Sequence, residues 1–235
     1  AGPAGPALIT GYVVLVFGAA FGIPAVMLIQ WSIEAIAQGA LDARFFGFIW
    51  NSSFLSALAA CGAVIIGLPL AYLASRRPSR LNLACLQAAY AGYALPGPVA
   101  ALAVLVLFTH FVPVLYGTVA VLLVAYVLHF LPVGLQSMEL ALQQATPNEE
   151  EVARTLGCTT RRTLRRVTLP LIRNGFIAAW VLMFLQTMKE LPATLLLRPV
   201  GFDTLAIRVW LEASEEYYQL AAPAALLIVL LSLPA

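Results

Sequence analysis

The chain has 235 residues, of which 62% are hydrophobic and only 10% are charged. Soluble domains carry about 25% charged residues, so this composition is too apolar for a water-soluble globule. The net charge of +2 is too small to identify a partner, and no basic patch interleaved with aromatics points to nucleic acid.

Taken in chain order, the first six residues lack both an initiator Met and the charged n-region of a signal peptide. A first apolar stretch covers residues 10–30, and a more polar one with Glu34, Asp42 and Arg44 follows at 32–46. A second apolar stretch, 48–74, ends at Arg76, Arg77, Pro78, Ser79 and Arg80. A third covers 83–108, a fourth 115–135, a fifth 175–197 and a sixth begins near Leu220. Each complete stretch is long enough to cross a hydrocarbon core of about 30 Å. In lipid the backbone must satisfy its own hydrogen bonds, so the expected fold is all-α, with six transmembrane helices. Residues 1–235 are expected to form one membrane domain, with no repeat and no linker. The abrupt ends suggest a fragment of a longer polypeptide.

Charge predicts the orientation. Arg76, Arg77, Arg80, Arg154, Arg161, Arg162, Arg165, Arg166 and Arg173 fall in the two segments after the second and fourth stretches. Arg44, Arg198 and Arg208 fall on the other side, and Lys189 within a span. Basic residues gather on the cytoplasmic side of membrane proteins, which places both termini in the cytoplasm.

Pro96 and Pro98 interrupt the third span. Proline lacks the backbone donor and clashes with the preceding turn, so a kink or break is predicted, either lining a cavity or serving packing alone. Cys61, Cys85 and Cys158 are isolated, which gives neither a disulfide framework nor a metal site. Cys61 and Cys85 read as small packing residues. His110 and His129 read as packed or hydrogen-bonded side chains.

The longest polar segment, about residues 136–174, is the most informative. Pro147 and Asn148 open a helix whose first turn holds Glu149, Glu150 and Glu151, where the helix dipole favours negative charge. Gly157 suits the left-handed turn that closes it. A short basic helix is expected next, stopped by Pro170. The segment resembles the loop of ABC importer permeases in which E-A-A, three residues, G, nine residues and I-x-L-P contact the ATPase. Glu151, Val152 and Ala153 align with E-A-A, Gly157 with the glycine, and Val167, Leu169 and Pro170 with I-x-L-P. Val152 and Val167 are conservative departures from that pattern.

No G-x-x-x-x-G-K-[ST] phosphate loop occurs, and Lys189 is the only lysine. The chain is therefore not expected to hydrolyse ATP by that route, and no nucleophile–base–acid arrangement suggests another enzyme. The run from Lys189 to Pro199, followed by Gly201, Phe202, Asp203, Thr204, Leu205 and Ala206, resembles the second half of ferric iron ABC importer permeases. The resemblance implies a type I (MetI-like) permease in the bacterial inner membrane. It also implies an ATPase dimer, a second permease half and a substrate-binding protein as partners, with no cofactor and no resident metal. Alternating access driven by ATP is the mechanism implied.

Lys189 and Glu190 are the unusual charges, expected toward the outer end of the fifth span and facing the bundle interior. Intramembrane charges are costly, so they belong either to a path or gate or to an ion pair with the neighbouring half. The acidic outer loop, with Asp203, Glu212, Glu215, Glu216, Tyr217 and Tyr218, reads first as a solvated surface. Alternatives are a permease for thiamine, a polyamine or a phosphonate, an ion-coupled secondary transporter, or an assembly subunit without a path.

Overall fold

A computed structural model describes residues 4–39 and 41–233. Ala1, Gly2, Pro3, Pro234 and Ala235 lie outside the described residues, and so does much of the reading of the two ends. The described chain is helical throughout, without a strand. It divides into two compact units, one from the described parts of 1–49 and 204–234, the other from 50–203.

In the first unit α1 (Ala4–Phe17), a π-helical turn (Gly18–Gly22) and α2 (Ile23–Ala37) run end to end. Residues from Leu8 to Ala37 are long and apolar enough to cross a membrane. α11 (Leu205–Ser214) and α12 (Tyr218–Ser232) complete the unit, with α12 packed on both α2 and α11. Trp31 stacks on Tyr218 with centroids 6.3 Å apart. Thr204 caps α11 by accepting the Ile207 N–H.

The second unit is built around α6 (Val119–Gln144), against which α4 (Arg80–Ala94), α5 (Gly97–Phe111), α9 (Leu169–Met188) and α10 (Pro192–Leu197) pack. α3 (Ala43–Arg76) contributes Ala60, Ala63 and Ala71 to the same core. Of the most apolar 18 residues in α6, 56% are buried, whereas none of the most apolar 18 within Leu8–Ala37 is. The polarity of Gln136 suggested that this helix stops near 135. It continues to Gln144 because Met138, Ala141 and Leu142 keep its apolar face buried. α9 crosses α6 at Gly175, where a Cβ would lie 2.2 Å from that of Ala141. Small residues let membrane helices approach this closely, and dispersion then holds them.

The predicted third span is two helices. Leu95 and Pro96 are extended, with ψ near 136° and 139°, and the chain bends by 114° between α4 and α5. Among the described residues, four helices are thus long and apolar enough to span, or five if the bent pair counts as one. α12, where the sixth span was expected, is a shorter apolar helix of 15 residues. The fifth predicted span is also divided, since α9 ends at Met188 and α10 begins at Pro192. Cys61 and Cys85 are exposed instead of packed inside, and Cys61 accepts the Trp180 indole N–H at 3.3 Å. His110 is likewise exposed, against the edge of Phe111.

Candidate functional site

The polar segment condenses into α7 (Pro147–Thr155) and α8 (Thr160–Thr163), followed by a π-helical turn at Leu164–Thr168. Pro147 starts α7 after extended Thr146, with Glu149 and Glu150 in its first turn. Its end is a Schellman closure. Gly157, at φ +84°, donates to the Arg154 carbonyl at 2.9 Å, and Cys158 donates to that of Ala153 at 3.0 Å.

Pro170 does not stop the second helix. Residues from Thr160 to Met188 form one continuous rod, with Pro170 in the first turn of α9. The π-helical turn just before it shifts the hydrogen-bond ladder, which accommodates a residue with no N–H to give.

Glu150 anchors α7. The residue is 4% exposed, and its carboxylate accepts from Arg76 Nε at 3.0 Å, Tyr72 Oη at 3.1 Å and Thr168 Oγ1 at 3.1 Å. Arg154 Nη2 lies 3.7 Å away, one helical turn on. Arg76 also donates through Nη2 to the carbonyl oxygens of Leu142, at 3.2 Å, and Ala145. One guanidinium thus satisfies the free carbonyls at the end of α6 and fixes the carboxylate of α7. Burial pushes the Glu150 carboxyl up, but the hydrogen bonds from Arg76, Tyr72 and Thr168 outweigh it and hold the group below its usual range.

With Glu150 facing inward, the aligned triplet divides. Ala153 is buried at 7% exposure, while Glu151 and Val152 face out, joined by Leu156 at 80%. Val167 and Leu169 are half-buried and Pro170 is exposed. Sequence reasoning missed Glu150, Arg76, Tyr72 and Thr168 as a group.

A second cluster forms where α5 begins. Pro96 precedes that helix and Pro98 lies in its first turn. A Cβ on Gly97 would sit 3.6 Å from Glu190 Oε1 and 3.9 Å from His129 Nε2. Glu190 Oε1 accepts the Ala193 N–H at 3.0 Å and so caps α10. Thr194 Oγ1 donates to the Glu190 carbonyl at 2.6 Å and is hydrogen-bonded to Tyr126. Among the described residues His129 Nδ1 is buried without a hydrogen-bond partner, its ring against Tyr93 and Phe130. Lys189 stands apart from this cluster, exposed just beyond the end of α9 and not inside a span. Of the candidate path residues, the fold brings Pro96, Pro98 and Glu190 together and leaves Lys189 out.

In the acidic segment after α10, Asp203 pairs with Arg198, and Glu212 pairs with Arg208 at 2.7 Å. Among the described residues no group of three His, Cys, Asp or Glu is arranged to hold a metal ion.

Residues 63–235, which include α7 and the whole rod after it, match the family described as binding-protein-dependent transport system inner membrane component. The chain belongs to that family. This permease is 36% identical over 224 residues to the Fe(3+)-transport system permease protein FbpB 2 of Haemophilus influenzae, covering 94% of its own length and 44% of the relative's. It is 29% identical over 144 residues to a putative 2-aminoethylphosphonate transport system permease protein, PhnV, of Salmonella paratyphi A, covering 61% and 54%. An 80-residue region is 36% identical to a probable molybdenum ABC transporter permease protein of Haloferax volcanii, covering 34% and 29%. The chain spans about half the length of the first two relatives. This permease is accordingly a multi-pass inner-membrane component of the ABC importer permease class, the class that the Glu151-to-Pro170 spacing resembles.

Proposed function

We propose that this permease contributes a translocation path for ferric iron and is driven by a separate ATPase that docks on α7. The observation carrying the coupling role is the division of α7 into two faces. Glu150 ties one face to the ends of α3 and α6, while Glu151, Val152 and Leu156 stand free on the other. A helix joined to several spans through buried hydrogen bonds transmits a displacement that a flexible loop would absorb. ATP-driven closure of the ATPase then moves α7, α3 and α6 together, and differential affinity of the partners for the two states drives the cycle.

The arginine distribution supports cytoplasmic placement of α7 and of both termini. A second permease half and a substrate-binding protein complete the importer, and the domain covers residues 1–235 with its coupling segment inside 136–174. Of the path or gate candidates Lys189, Glu190, Pro96 and Pro98, we favour Glu190, which lies beside the start of α5 where Pro96 and Pro98 stand. Identity across 94% of the chain to an iron permease favours ferric iron as substrate. The shorter match to PhnV makes 2-aminoethylphosphonate the second reading.

The test is co-purification of the full-length permease from its host membrane, comparing wild type with Val152→Asp and Leu156→Asp. Both side chains are exposed, at 59% and 80%, so the fold should tolerate the changes. A P-loop ATPase retained by wild type and lost by the variants supports coupling through α7. Its absence from all samples, with uptake that persists without ATP, moves an ion-coupled transporter to the front. Uptake of radiolabelled iron against labelled 2-aminoethylphosphonate separates the substrates.

A further inference from the structure

The rod from Thr160 to Met188 carries a cationic pocket at its start and an apolar groove near its middle. The pocket, about 580 Å³, is lined by Thr159, Arg161, Arg162, Arg165 and Arg166. All four arginines are exposed, and among the described residues none forms an ion pair. Four guanidiniums sharing one concavity repel one another unless an anion sits among them, and their planar donors suit phosphate oxygens.

The groove, about 250 Å³, is lined by Val64, Phe176, Ile177 and Trp180, with Ile177 61% exposed. Ile177 lies eleven positions beyond Arg166, about three turns and about 16 Å along the rod, so the two features share a side of it. Arg173, also exposed, lies between them and can extend its head toward the pocket end. A phosphate site and an apolar slot separated by this distance match the headgroup and acyl chain of one phospholipid.

We propose that this surface binds an anionic phospholipid, its phosphate held by Arg161, Arg162, Arg165 and Arg166 and one acyl chain lying on Val64, Phe176, Ile177 and Trp180. The absence of an acidic side chain from the pocket lining favours a net-negative headgroup over a zwitterionic one. A free phosphate would use the pocket alone, whereas the lipid needs the groove as well. The inference rests on α9 crossing the membrane and is independent of ATPase docking on α7.

The test uses the full-length permease purified in detergent and titrated with dioleoylphosphatidylglycerol, dioleoylphosphatidylcholine or inorganic phosphate, with binding read by native mass spectrometry. Phosphatidylglycerol should bind more than about tenfold tighter than phosphatidylcholine. The R161Q/R162Q/R165Q/R166Q variant should lose that preference, and R165Q/R166Q should weaken it if the quadruple variant does not fold. Ile177→Trp, which fills the groove, should weaken phosphatidylglycerol binding and leave any phosphate binding unchanged. Equal binding of the two lipids, or a preference that survives R165Q/R166Q, overturns the proposal. Phosphate binding as tight as the lipid's, with no effect of Ile177→Trp, overturns it in favour of a free-anion site. An ATPase retained only by the arginine-intact protein, without lipid preference, overturns it in favour of a protein interface.

Discussion

Arg76, the last residue of α3, donates through Nε to the carboxylate of Glu150 at 3.0 Å across 74 residues of sequence. Both side chains are buried, at 9% and 5% exposure. Removing one partner of a buried pair costs about 3–5 kcal/mol, mostly because the other charge is stranded. Glu150→Ala should therefore release α7, seen as faster hydrogen exchange across residues 147–155 with the exchange of α6 near Val127 unchanged. The double variant Arg76→Leu, Glu150→Leu should recover only part of the loss. The carbonyls of Leu142 and Ala145 would remain without their donor. Full recovery would mean that the charge pair alone matters, and not the capping of α6.

Acid should act on the same contact. Burial opposes ionisation of Glu150, but its three hydrogen-bond donors outweigh that, so the folded carboxyl titrates below the unfolded one. A depressed folded value means that the stabilisation is fully present above the unfolded carboxylate range and is lost as pH falls through the folded value. Attachment of α7 should hold from neutral pH down to that range and weaken below it. A fluorescent label on Leu156→Cys, made on a background without the three native cysteines, reports the release. In Glu150→Gln the acid-dependent change should disappear, and a change of the same size in that variant would assign it to another group.

The sequence made α7 legible at both ends and hid its middle. Pro147 and Gly157 act locally, through a fixed φ and a tolerated left-handed one, so a single chain suffices to read them. Glu150 sits between two other acids, and only the rotational phase of the helix decides which of the three turns inward. Arg76 belongs to a run of arginines that membrane topology already explains. The pair becomes visible only when α3 and α7 are placed together. Likewise Pro96 and Pro98 announced a break, but its angle depends on extended Leu95 and Pro96, which composition does not encode. The length of α6 was misread because Gln136 is polar, while the helix continues on the packing of Met138 and Leu142.

Gly157 permits a separation of backbone from packing effects. Its φ of +84° disfavours any residue with a Cβ, yet no atom lies within 4 Å of where that Cβ would be. Gly157→Ala should cost about 1–2 kcal/mol of α7 closure through strain alone. Gly157→Asn should cost less, because asparagine is the usual second choice at this helix end. Exchange rates at Gly157 and Cys158 N–H, the two closing donors, measure it. Equal costs for Ala and Asn would show that strain at this turn is not what holds the helix end.

Glu190 and Lys189 are neighbours in sequence with opposite surroundings, and uptake should separate them. Glu190 lies half-buried beside Gly97 and His129, with Oε1 accepting the Ala193 N–H at 3.0 Å. In Glu190→Gln the amide oxygen can still accept that N–H, so α10 keeps its cap and only the charge is lost. Lys189 is exposed beyond the end of α9 and contributes no ion pair among the described residues. If the cluster lies on the path, Glu190→Gln should lower iron uptake at least about tenfold, the effect of 1.4 kcal/mol on a barrier. Lys189→Met, in protein that still assembles, should leave uptake near wild type. Unchanged uptake in both would remove Glu190 from the path and leave it as the cap of α10. A loss confined to Lys189→Met would instead assign the path role, or an ion pair with the second permease half, to that exposed amine.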